Sequence, residues 1–407
     1  MTGFRTLDQA DVTGKRVLLR VDLNVPLGNG EVADATRIER MAPTILEIAD
    51  KGGKVILLSH FGRPKGRSGK DSLKPVAAEV AHIIKRPVAF VEDCVGPQAE
   101  AAAKAMHGGD ILGLENTRFH AGEEKNDPAF AAALARLGDI WVNDAFSVSH
   151  RAHASTEGLG HLLPAYAGRA MQAELAAFNR VLDAPARPLA AIVGGAKVST
   201  KLELLGNLIP RVDVLIIGGG MANTFLAAQG KPVGKSLCEH EMAQTARNIL
   251  AEAAGRRCEI VLPVDAVAAR VFEANAPARV VAVDDVGPDE MVLDIGPRAI
   301  EHVVSVLARV KTLVWNGPFG AFELEPFDTG TVEVAEAAAE LTAAGKMVSV
   351  AGGGDTVAAL NRAGVTSRFS YVSTAGGAFL EWLEGRALPG VEILQAKPRK
   401  PTNAAGV

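Results

Sequence analysis

Short apolar segments alternate with amphipathic segments along almost the whole chain. In the first half, the apolar segments predict strands at Arg16–Val21, Val55–Leu58, Val88–Val91, Ile111–Leu114 and Ile140–Val142. In the second half, they predict strands at Leu189–Val193, Val212–Ile217, Glu259–Leu262, Lys311–Trp315, Met347–Val350 and Ser370–Val372. Helical periodicity predicts helices between most of these strands. Strands that alternate with helices form parallel sheets covered on both faces, and an α/β fold is therefore expected.

The alternation is interrupted once, near the middle of the chain. Met171–Leu182 has the pattern of one continuous helix, and Asp183–Pro188 (DAPARP) separates it from a new strand. Because 407 residues exceed what one hydrophobic core usually organises, two or three domains are expected. We predict an N-terminal lobe over 1–170, an interdomain helix and hinge over 171–187, and a C-terminal lobe over 188–392.

Composition and charge narrow the class of protein. The net charge of −4 gives no overall attraction to nucleic acid or to anionic membranes. The three cysteines, Cys94, Cys238 and Cys258, form neither a metal-binding nor a disulfide pattern. The charged N-terminus lacks the apolar stretch of a signal peptide, and no apolar stretch reaches the ~20 residues of a membrane span. We therefore expect a cytoplasmic protein that binds neither nucleic acid nor membranes.

Arginine and histidine motifs accompany the predicted strands of the first half. They are Asp22-Leu-Asn24, Arg37, His60-Phe-Gly-Arg63, Arg118-Phe-His120 and His150-Arg151-Ala-His153. Because the carboxyl ends of parallel strands share one edge of a sheet, the arginines and His60 are expected to converge on one anion. Guanidinium groups match the oxygens of phosphate or carboxylate. The alternative for any single arginine is an ordinary surface salt bridge.

Glycines occupy the corresponding positions in the second half, as in Gly194-Gly195, Gly218–Gly220 and Gly352–Gly354. Glycine lets a ligand approach the main chain, and the helix that follows favours phosphate at its N-terminus. Lys197 and Lys201 are four residues apart, which on a helix places them on one face. Asp355 adds a carboxylate of the kind that holds Mg²⁺ beside phosphates. The alternatives are a tightly packed turn and a solvated lysine pair.

Nine motifs together resemble the phosphoglycerate kinase family. In chain order they are RVDLNVP (20–26), ATRIE (35–39), SHFGRP (59–64), ENTRFH (115–120), HRAHAS (150–155), GGAKVSTK (194–201), WNGPFGAFE (315–323), GGGDT (352–356) and STAGGA (373–378). The resemblance implies two Rossmann-like three-layer lobes with parallel sheets, separated by a hinged cleft. The N-terminal lobe would bind 3-phosphoglycerate or 1,3-bisphosphoglycerate, and the C-terminal lobe MgADP or MgATP. It also implies a monomer whose C-terminal tail, 393–407, packs back on the first lobe.

The resemblance also implies roles for individual residues. The glycerate, its phosphate and the acyl phosphate would be held by Asp22, Asn24, Arg37, His60, Arg63, Arg118 and Arg151. The nucleotide would be held by Lys201, Glu323, Gly353, Gly354, Asp355 and Thr356, with Glu323 on the ribose and Asp355 on Mg²⁺. The groups attending the transferred phosphoryl would be Arg37, Lys197, Lys201, Gly353 and Gly376.

The chain departs from the usual family pattern in a few places. Leu23, Phe61 and the segment Ser147-Val148-Ser149 replace the usual residues, and none is expected to touch a side chain assigned to chemistry. Ala375 stands where a third glycine is common, which leaves open whether its amide can serve a phosphate.

The implied reaction is the reversible phosphoryl transfer of glycolysis and gluconeogenesis between 1,3-bisphosphoglycerate and MgADP, giving 3-phosphoglycerate and MgATP. The carboxylate that attacks ATP in the reverse direction has a pKa of about 3.5–4, so no general base is assigned. One alternative is another two-lobed kinase that forms an acyl phosphate and shares the nucleotide half. A second is a solute-binding protein that closes on an anion without chemistry.

Overall fold

The computed structural model describes residues 3–28 and 30–395. Within this range the chain divides into two compact units. Unit 1 comprises the residues up to Leu175 together with those from Ala387 onward, and unit 2 comprises Ala176–Arg386. The division falls inside the segment 171–187 that the sequence marks as interdomain. Residues 387–392, which the sequence places in the second lobe, lie in unit 1.

Unit 1 is built on a six-stranded parallel sheet. Its strands are β1 (Arg16–Arg20), β4 (Lys54–Leu58), β5 (Ala89–Val91), β6 (Ile111–Leu114), β7 (Ile140–Asn143) and β8 (Ala165–Ala167), and a short hairpin pairs β2 (Leu27–Gly28) with β3 (Glu31–Val32). The order across the sheet is β5-β6-β4-β1-β7-β8. The sheet is accompanied by helices α1 (Thr36–Asp50), α2 (Lys74–Ile84), α3 (Pro97–Ala105), α4 (Pro128–Ala135) and α5 (Leu159–Leu162). Helix α6 (Arg169–Phe178) begins in unit 1 and ends in unit 2.

Unit 2 contains a second six-stranded parallel sheet and a smaller antiparallel one. The parallel sheet has the order β11-β10-β9-β15-β16-β17, in which the strands are β9 (Leu189–Val193), β10 (Val214–Ile217), β11 (Glu259–Val261), β15 (Thr312–Asn316), β16 (Val348–Gly352) and β17 (Tyr371–Ser373). The antiparallel sheet consists of β12 (Asp265–Ala269), β13 (Ala278–Ala282) and β14 (Met291–Ile295).

The helices of unit 2 connect these strands. They are α7 (Leu202–Leu208), α8 (Gly219–Ala228), α9 (Ala243–Gly255), α10 (Pro297–Arg309), α11 (Thr329–Ala343), α12 (Gly354–Arg362) and α13 (Gly376–Leu383). Helix α10 shows why such segments fold as they do: proline occupies its first position, and Ile300, Val303 and Leu307 are buried at helical spacing. In none of the helices within the described ranges do length and apolar character suffice for crossing a membrane.

Burial on both faces explains the apolar strand patterns. Every residue of β6, β7, β9 and β15 is buried, as expected for parallel strands covered by helices on both sides. The predicted α/β class with two Rossmann-like lobes is thereby confirmed. A final short helix, α14 (Pro389–Glu392), belongs to unit 1, where Asn143 Nδ2 donates to the carbonyl of Gly390 at 2.9 Å.

The C-terminal segment contacts the N-terminal strand region of unit 1. Gln395 forms an antiparallel bridge with Phe4, and the amide of Arg5 donates to the carbonyl of Leu394 at 3.4 Å. The remainder of the predicted tail, residues 396–407, lies outside the described residues.

The structure differs from the sequence prediction in several strands and in one helix. The antiparallel sheet and β8 were not expected, because β8, β12 and β13 are alanine-rich and alanine has low strand propensity. The prediction of one helix over Met171–Leu182 is wrong, since α6 ends at Phe178 and a π-helical turn covers Asn179–Asp183. The apolar pattern alone does not distinguish these two helix types.

Candidate active site

The candidate substrate residues of unit 1 follow four neighbouring strands. Asp22 and Asn24 follow β1, His60 and Arg63 follow β4, Arg118 follows β6, and Arg151 follows β7, while Arg37 lies on α1. These strands are adjacent in the order β6-β4-β1-β7, so their carboxyl ends lie along one edge of the sheet. The sheet topology therefore brings the predicted residues to the same face.

Arg37 is anchored by the residues that follow β1. Its Nη1 donates to Asp22 Oδ2 at 3.0 Å and to the carbonyl of Asn24 at 2.8 Å. Asn24 Oδ1 accepts from the amide of Gly62 at 2.8 Å, which ties the β1 loop to the β4 loop. The Arg37 side chain is 37% exposed, so the guanidinium is held in place and is still accessible to a ligand.

Ser147 contacts this anchor, contrary to the expectation from the sequence. Its Oγ donates to Asp22 Oδ2 at 2.5 Å, the same oxygen that accepts from Arg37. The expectation that the departures from the family pattern touch no assigned side chain is therefore wrong for Ser147. The reason is that the loop after β7 reaches the loop after β1, because the two strands are neighbours. Leu23 and Phe61 are buried in the core of unit 1.

A positive field surrounds His60. Burial, followed by the charges of Arg20, Arg118 and Arg151, holds the pKa of His60 well below its ordinary value. Burial also lowers the pKa of Arg118, and repulsion from Arg151 and Arg63 adds to this effect. His60 is therefore neutral and contributes hydrogen bonding, whereas the arginines contribute the charge.

Arg118 is held rigidly within this field. Its side chain is only 5% exposed, its Nη1 donates to the carbonyl of Gly62 at 2.6 Å, and its Nε lies 3.0 Å from Glu124 Oε1. The Glu124 side chain is 60% exposed, so this ion pair is screened by water and contributes little by itself. Arg118 is thus oriented by burial and by its contact with the Gly62 carbonyl, and can exchange Glu124 for an anionic ligand.

The glycine turn of unit 2 is built around Asn316. Asn316 Nδ2 donates to the carbonyl of Gly352 at 2.8 Å, and Lys201 Nζ donates to Asn316 Oδ1 at 2.6 Å. Gly353 has φ +99°, and a Cβ there would lie 2.5 Å from Asn316 Nδ2. Thr356 Oγ accepts from the amide of Gly317 at 2.7 Å. Lys201 is thus connected to the N-terminus of α12 through one side chain.

The two candidate lysines differ in their surroundings. Burial lowers the pKa of Lys201, and the nearby Glu384 and Asp355 oppose this shift. Lys197 is exposed in the loop before a 3₁₀ turn at Ser199–Lys201, and α7 begins only at Leu202. The expectation that the two lysines share one helix face is therefore wrong.

A cavity of about 490 Å³ adjoins the turn in unit 2. Its lining is mainly apolar and includes Gly219, Gly220, Leu293, Phe319, Glu323 and Asp355. The volume lies in the range of small-molecule sites, and few polar groups among apolar walls are typical of them. Glu323 and Asp355, two candidate nucleotide residues, therefore border one cavity.

The structure answers the question about Ala375. Its φ is −94°, which any residue adopts without strain, so alanine is tolerated there. Its amide donates to Ser373 Oγ at 3.1 Å, and is thus already used within the turn. Gly376 begins α13 and has open space around it, since a Cβ there would meet nothing within 4 Å.

One group of possible metal ligands includes His120 of the Arg118-Phe-His120 motif. Among the described residues, Asp93, Cys94 and His120 bring their ligand atoms within 4.8 Å of one another. The Asp93 carboxylate already accepts from His120, from the Cys94 amide and from Arg67. It is therefore satisfied by three donors, one of them a cation, and the group is best described as an ion-pair network. Asp355 is exposed in the first turn of α12, where a carboxylate can meet both a metal ion and phosphates.

Comparisons with known proteins agree with this geometry. The phosphoglycerate kinase family model matches residues 7–386. A phosphoglycerate kinase from Rhodopseudomonas palustris is 66% identical over 394 residues, covering 97% of this chain and 99% of the relative. The structure of phosphoglycerate kinase from Coxiella burnetii is 42% identical with a TM-score of 0.90, covering 96% of this chain and 99% of that one. The structure from Pyrococcus horikoshii is 30% identical with a TM-score of 0.80, covering 96% and 98%.

The chain belongs to the phosphoglycerate kinase family.

Two contributors to the candidate site were not assigned from the sequence. Asn316 appears in the motif WNGPFGAFE, but its link between Lys201 and Gly352 depends on contacts across β15 and β16. Arg20 appears in the motif RVDLNVP and lies beside His60, with Nη2 3.1 Å from Nδ1. The available signal was an arginine at the end of an otherwise apolar strand, because a buried charged residue must have partners.

Gly353 and Gly354 offer a matched pair of substitutions. Gly353→Ala is expected to destabilise the ligand-free protein by about 1–3 kcal/mol, because alanine resists φ +99° and would displace Asn316. Gly354→Ala is expected to change stability by less than about 0.5 kcal/mol, because a Cβ there would meet nothing within 4 Å. Urea unfolding of both variants is the measurement, and equal destabilisation would contradict the strained turn.

Asp294, which borders the same cavity, predicts a pH dependence of stability. Its oxygens accept from the amides of Gly330 (2.7 Å) and Ile295 (2.9 Å), and burial raises its pKa from 3.8 to about 8. The folded state therefore binds more protons than the unfolded state between these values, so this contribution to stability falls as pH rises from about 4 to 8. Unfolding midpoints of Asp294→Asn and the parent should show the parent losing relative stability over this range. A constant difference would show that Asp294 titrates normally.

Proposed function

We propose that the chain catalyses reversible phosphoryl transfer between 1,3-bisphosphoglycerate and MgADP, giving 3-phosphoglycerate and MgATP, in glycolysis and gluconeogenesis. The family identity supports a phosphotransferase with a carboxyl group as acceptor. We further propose that it works as a cytoplasmic monomer with small-molecule substrates. The alternative is another two-lobed kinase that forms an acyl phosphate.

The observation that carries the proposal is the cluster of arginines around neutral His60. Arg151 and Arg63 lie close enough to Arg118 to lower its pKa, and Arg118 and Arg151 lower the pKa of His60, so like charges face one another in this cluster. A phosphorylated carboxylic acid carries the charge that such a cluster requires. An unphosphorylated acid would leave part of it uncompensated, which favours 3-phosphoglycerate over other acids.

On the substrate side, each residue is proposed for a part that its surroundings suit. The buried, rigid Arg118, together with Arg63 and Arg151, would hold the non-reacting phosphate. Asp22, Asn24 and His60 would hold the glycerate hydroxyl and carboxylate. Arg37, anchored on Asp22 yet accessible, would approach the transferring phosphoryl group.

On the nucleotide side, the cavity beside Glu323 would hold the base and ribose, with Glu323 on the ribose hydroxyls. The amides at Gly353 and Gly354, with Lys201 and Thr356, would hold the phosphates at the N-terminus of α12. Asp355 would hold Mg²⁺, which when bound neutralises phosphate charge. A single exposed carboxylate fits Mg²⁺, because this ion commonly keeps waters and substrate phosphates as its other ligands.

The chemistry requires positioning and charge more than proton transfer. In the direction of ATP consumption, a carboxylate oxygen attacks the γ-phosphorus, and the bond to the oxygen bridging the β- and γ-phosphates breaks to release ADP. The carboxylate is ionised at neutral pH, so no base is needed. Arg37, Lys197 and Lys201, with the amides at Gly353 and Gly376, would stabilise the charge on the phosphoryl group in flight.

Closure of the two lobes is proposed because the substrate and nucleotide residues belong to different units. Reacting atoms must approach within about 3–3.5 Å, and water must be excluded. Each ligand would mainly contact its own unit, so both together should favour closure. Small-angle scattering should show a smaller radius of gyration for the complex with MgADP and 3-phosphoglycerate than for either binary complex. A free protein that already has the ternary radius would exclude hinge closure.

The test of the proposed function compares acceptors. Steady-state turnover with MgATP is expected to be far more efficient, by kcat/KM, for 3-phosphoglycerate than for glycerate, which has the same carboxylate without the phosphate. Comparable values would favour the alternative kinase. Binding of 3-phosphoglycerate without any turnover of ATP would favour a solute-binding protein.

A further inference from the structure

Arg20 is a buried arginine that has no role in the proposed reaction. It is the last residue of β1, and its side chain is only 1% exposed. Its Nε donates to Ser155 Oγ at 2.8 Å, its Nη1 donates to the carbonyl of Val21, and its Nη2 lies 3.1 Å from His60 Nδ1. Contacts at three nitrogens fix the orientation of the guanidinium.

The charge of Arg20 is compensated inside the core. Glu123 is fully buried, and its two oxygens accept from the hydroxyl (2.5 Å) and the amide (3.1 Å) of Ser155. Burial raises the pKa of Glu123, and the charge of Arg20 counteracts that rise. Ser155 therefore bridges the two charged groups, and the network holds Arg20 against His60 without a ligand.

The contact with Arg20 determines which nitrogen of His60 carries the proton. A guanidinium has only donors, so His60 Nδ1 must accept. Burial and the charges of Arg20, Arg118 and Arg151 lower the pKa of His60 well below its ordinary value, while His153 adds to the same effect. A neutral imidazole has one N–H, and that hydrogen must then lie on Nε2.

We propose that Arg20 is a positioning residue that holds His60 as the neutral Nε2–H tautomer, so that His60 offers a hydrogen-bond donor to an anionic oxygen of the substrate. The opposite tautomer would present a lone pair at Nε2 and would repel a carboxylate or phosphate oxygen. The identity of the substrate rests on the proposed function. The tautomer does not, because it follows from contacts within the ligand-free protein.

The direct test is a long-range ¹H–¹⁵N spectrum of the ligand-free full chain labelled at histidine nitrogens. The His60 signals are identified by their loss in His60→Gln. The expected spectrum shows an unprotonated Nδ1 and a protonated Nε2, unchanged across the range around the ordinary pKa of about 6.5. A protonated Nδ1, either as the other tautomer or as an imidazolium, would overturn the proposal. If the spectrum is as expected but the protein shows no turnover, the tautomer proposal stands and the proposed function is wrong.

The role of Arg20 is tested by the same spectrum in a double variant. Arg20→Met removes every donor at similar length, and Glu123→Gln removes the counter-charge, so the core stays neutral. The double variant is expected to show the Nδ1–H tautomer in substantial amount, whereas Glu123→Gln alone keeps the parent pattern. Unchanged Nε2–H in a folded double variant would overturn the role of Arg20. If the double variant does not fold, the parent spectrum still decides which tautomer His60 adopts. The two His60 variants still decide whether a donor at Nε2 serves the substrate.

The consequence for the substrate is tested with two replacements of His60. Glutamine places its amide N–H₂ near the position of Nε2, whereas asparagine reaches only to the position of Nδ1. KM for 3-phosphoglycerate is expected to be at least about tenfold higher in His60→Asn than in His60→Gln, the scale of one hydrogen bond to a charged acceptor. Equal KM values would overturn the proposal that a donor at Nε2 serves the substrate.

Discussion

Replacing Arg37 by alanine is expected to lower kcat by about 10²–10³, the scale of one lost donor to a developing negative charge. Arg37 is already anchored on Asp22 and the Asn24 carbonyl without a ligand, so no binding energy is needed to organise it. Its effect should therefore fall mainly on the transition state and change KM little. The side chain is 37% exposed, and its loss should leave the fold intact. Steady-state kinetics of Arg37→Ala is the measurement.

Arg118→Ala is the matched control for this expectation. Arg118 is assigned to the non-reacting phosphate, which is bound equally in the ground state and the transition state. Its removal should raise KM for 3-phosphoglycerate at least as much as it lowers kcat. If both variants changed KM alone and to the same extent, the proposed division of roles would be wrong.

Replacing Asp355 by alanine is expected to weaken binding of the Mg-nucleotide by about 10–100-fold, the scale of losing a group that supports a bound metal ion. Asp355 lies in the first turn of α12 and borders the cavity, within electrostatic reach of Lys201. Binding of 3-phosphoglycerate should stay nearly unchanged, because its proposed site lies in unit 1. Calorimetry with each ligand separately is the measurement.

Removal of the metal provides the control for Asp355. With EDTA present, the parent and Asp355→Ala should bind ADP with similar affinity, because the carboxylate then has no cation to hold. A difference that persists without Mg²⁺ would assign Asp355 to the nucleotide itself. A parallel loss of affinity for 3-phosphoglycerate would indicate damage to the fold.

Much of the fold could be predicted because parallel strands that are buried on both faces consist almost entirely of apolar residues. All five residues of β9 and of β15 are buried, so each appears as an uninterrupted apolar segment. The side chains that follow β1, β4 and β6 lie on one sheet edge because parallel topology requires it. That Asp22, His60 and Arg118 lie close together could therefore be predicted from the order of the strands and the positions of the motifs.

The remaining features depend on contacts between residues distant in sequence. Ser147 reaches Asp22, 125 residues away, only because β1 and β7 are neighbours. Lys197 does not share a helix face with Lys201, because a loop and a 3₁₀ turn precede α7. The antiparallel strand β13 exposes three of its five residues and has no apolar pattern strong enough to mark it. Local sequence does not contain such information.

The most direct test of the central claim is to trap the acyl phosphate. Hydroxylamine converts an acyl phosphate into a stable hydroxamate and releases phosphate. With MgATP, 3-phosphoglycerate and hydroxylamine, the protein should form hydroxamate and ADP in equal amounts, and ATP consumption should be negligible when 3-phosphoglycerate is omitted. Formation of ADP and phosphate without hydroxamate, or no consumption of ATP at all, would contradict phosphoryl transfer to the carboxylate.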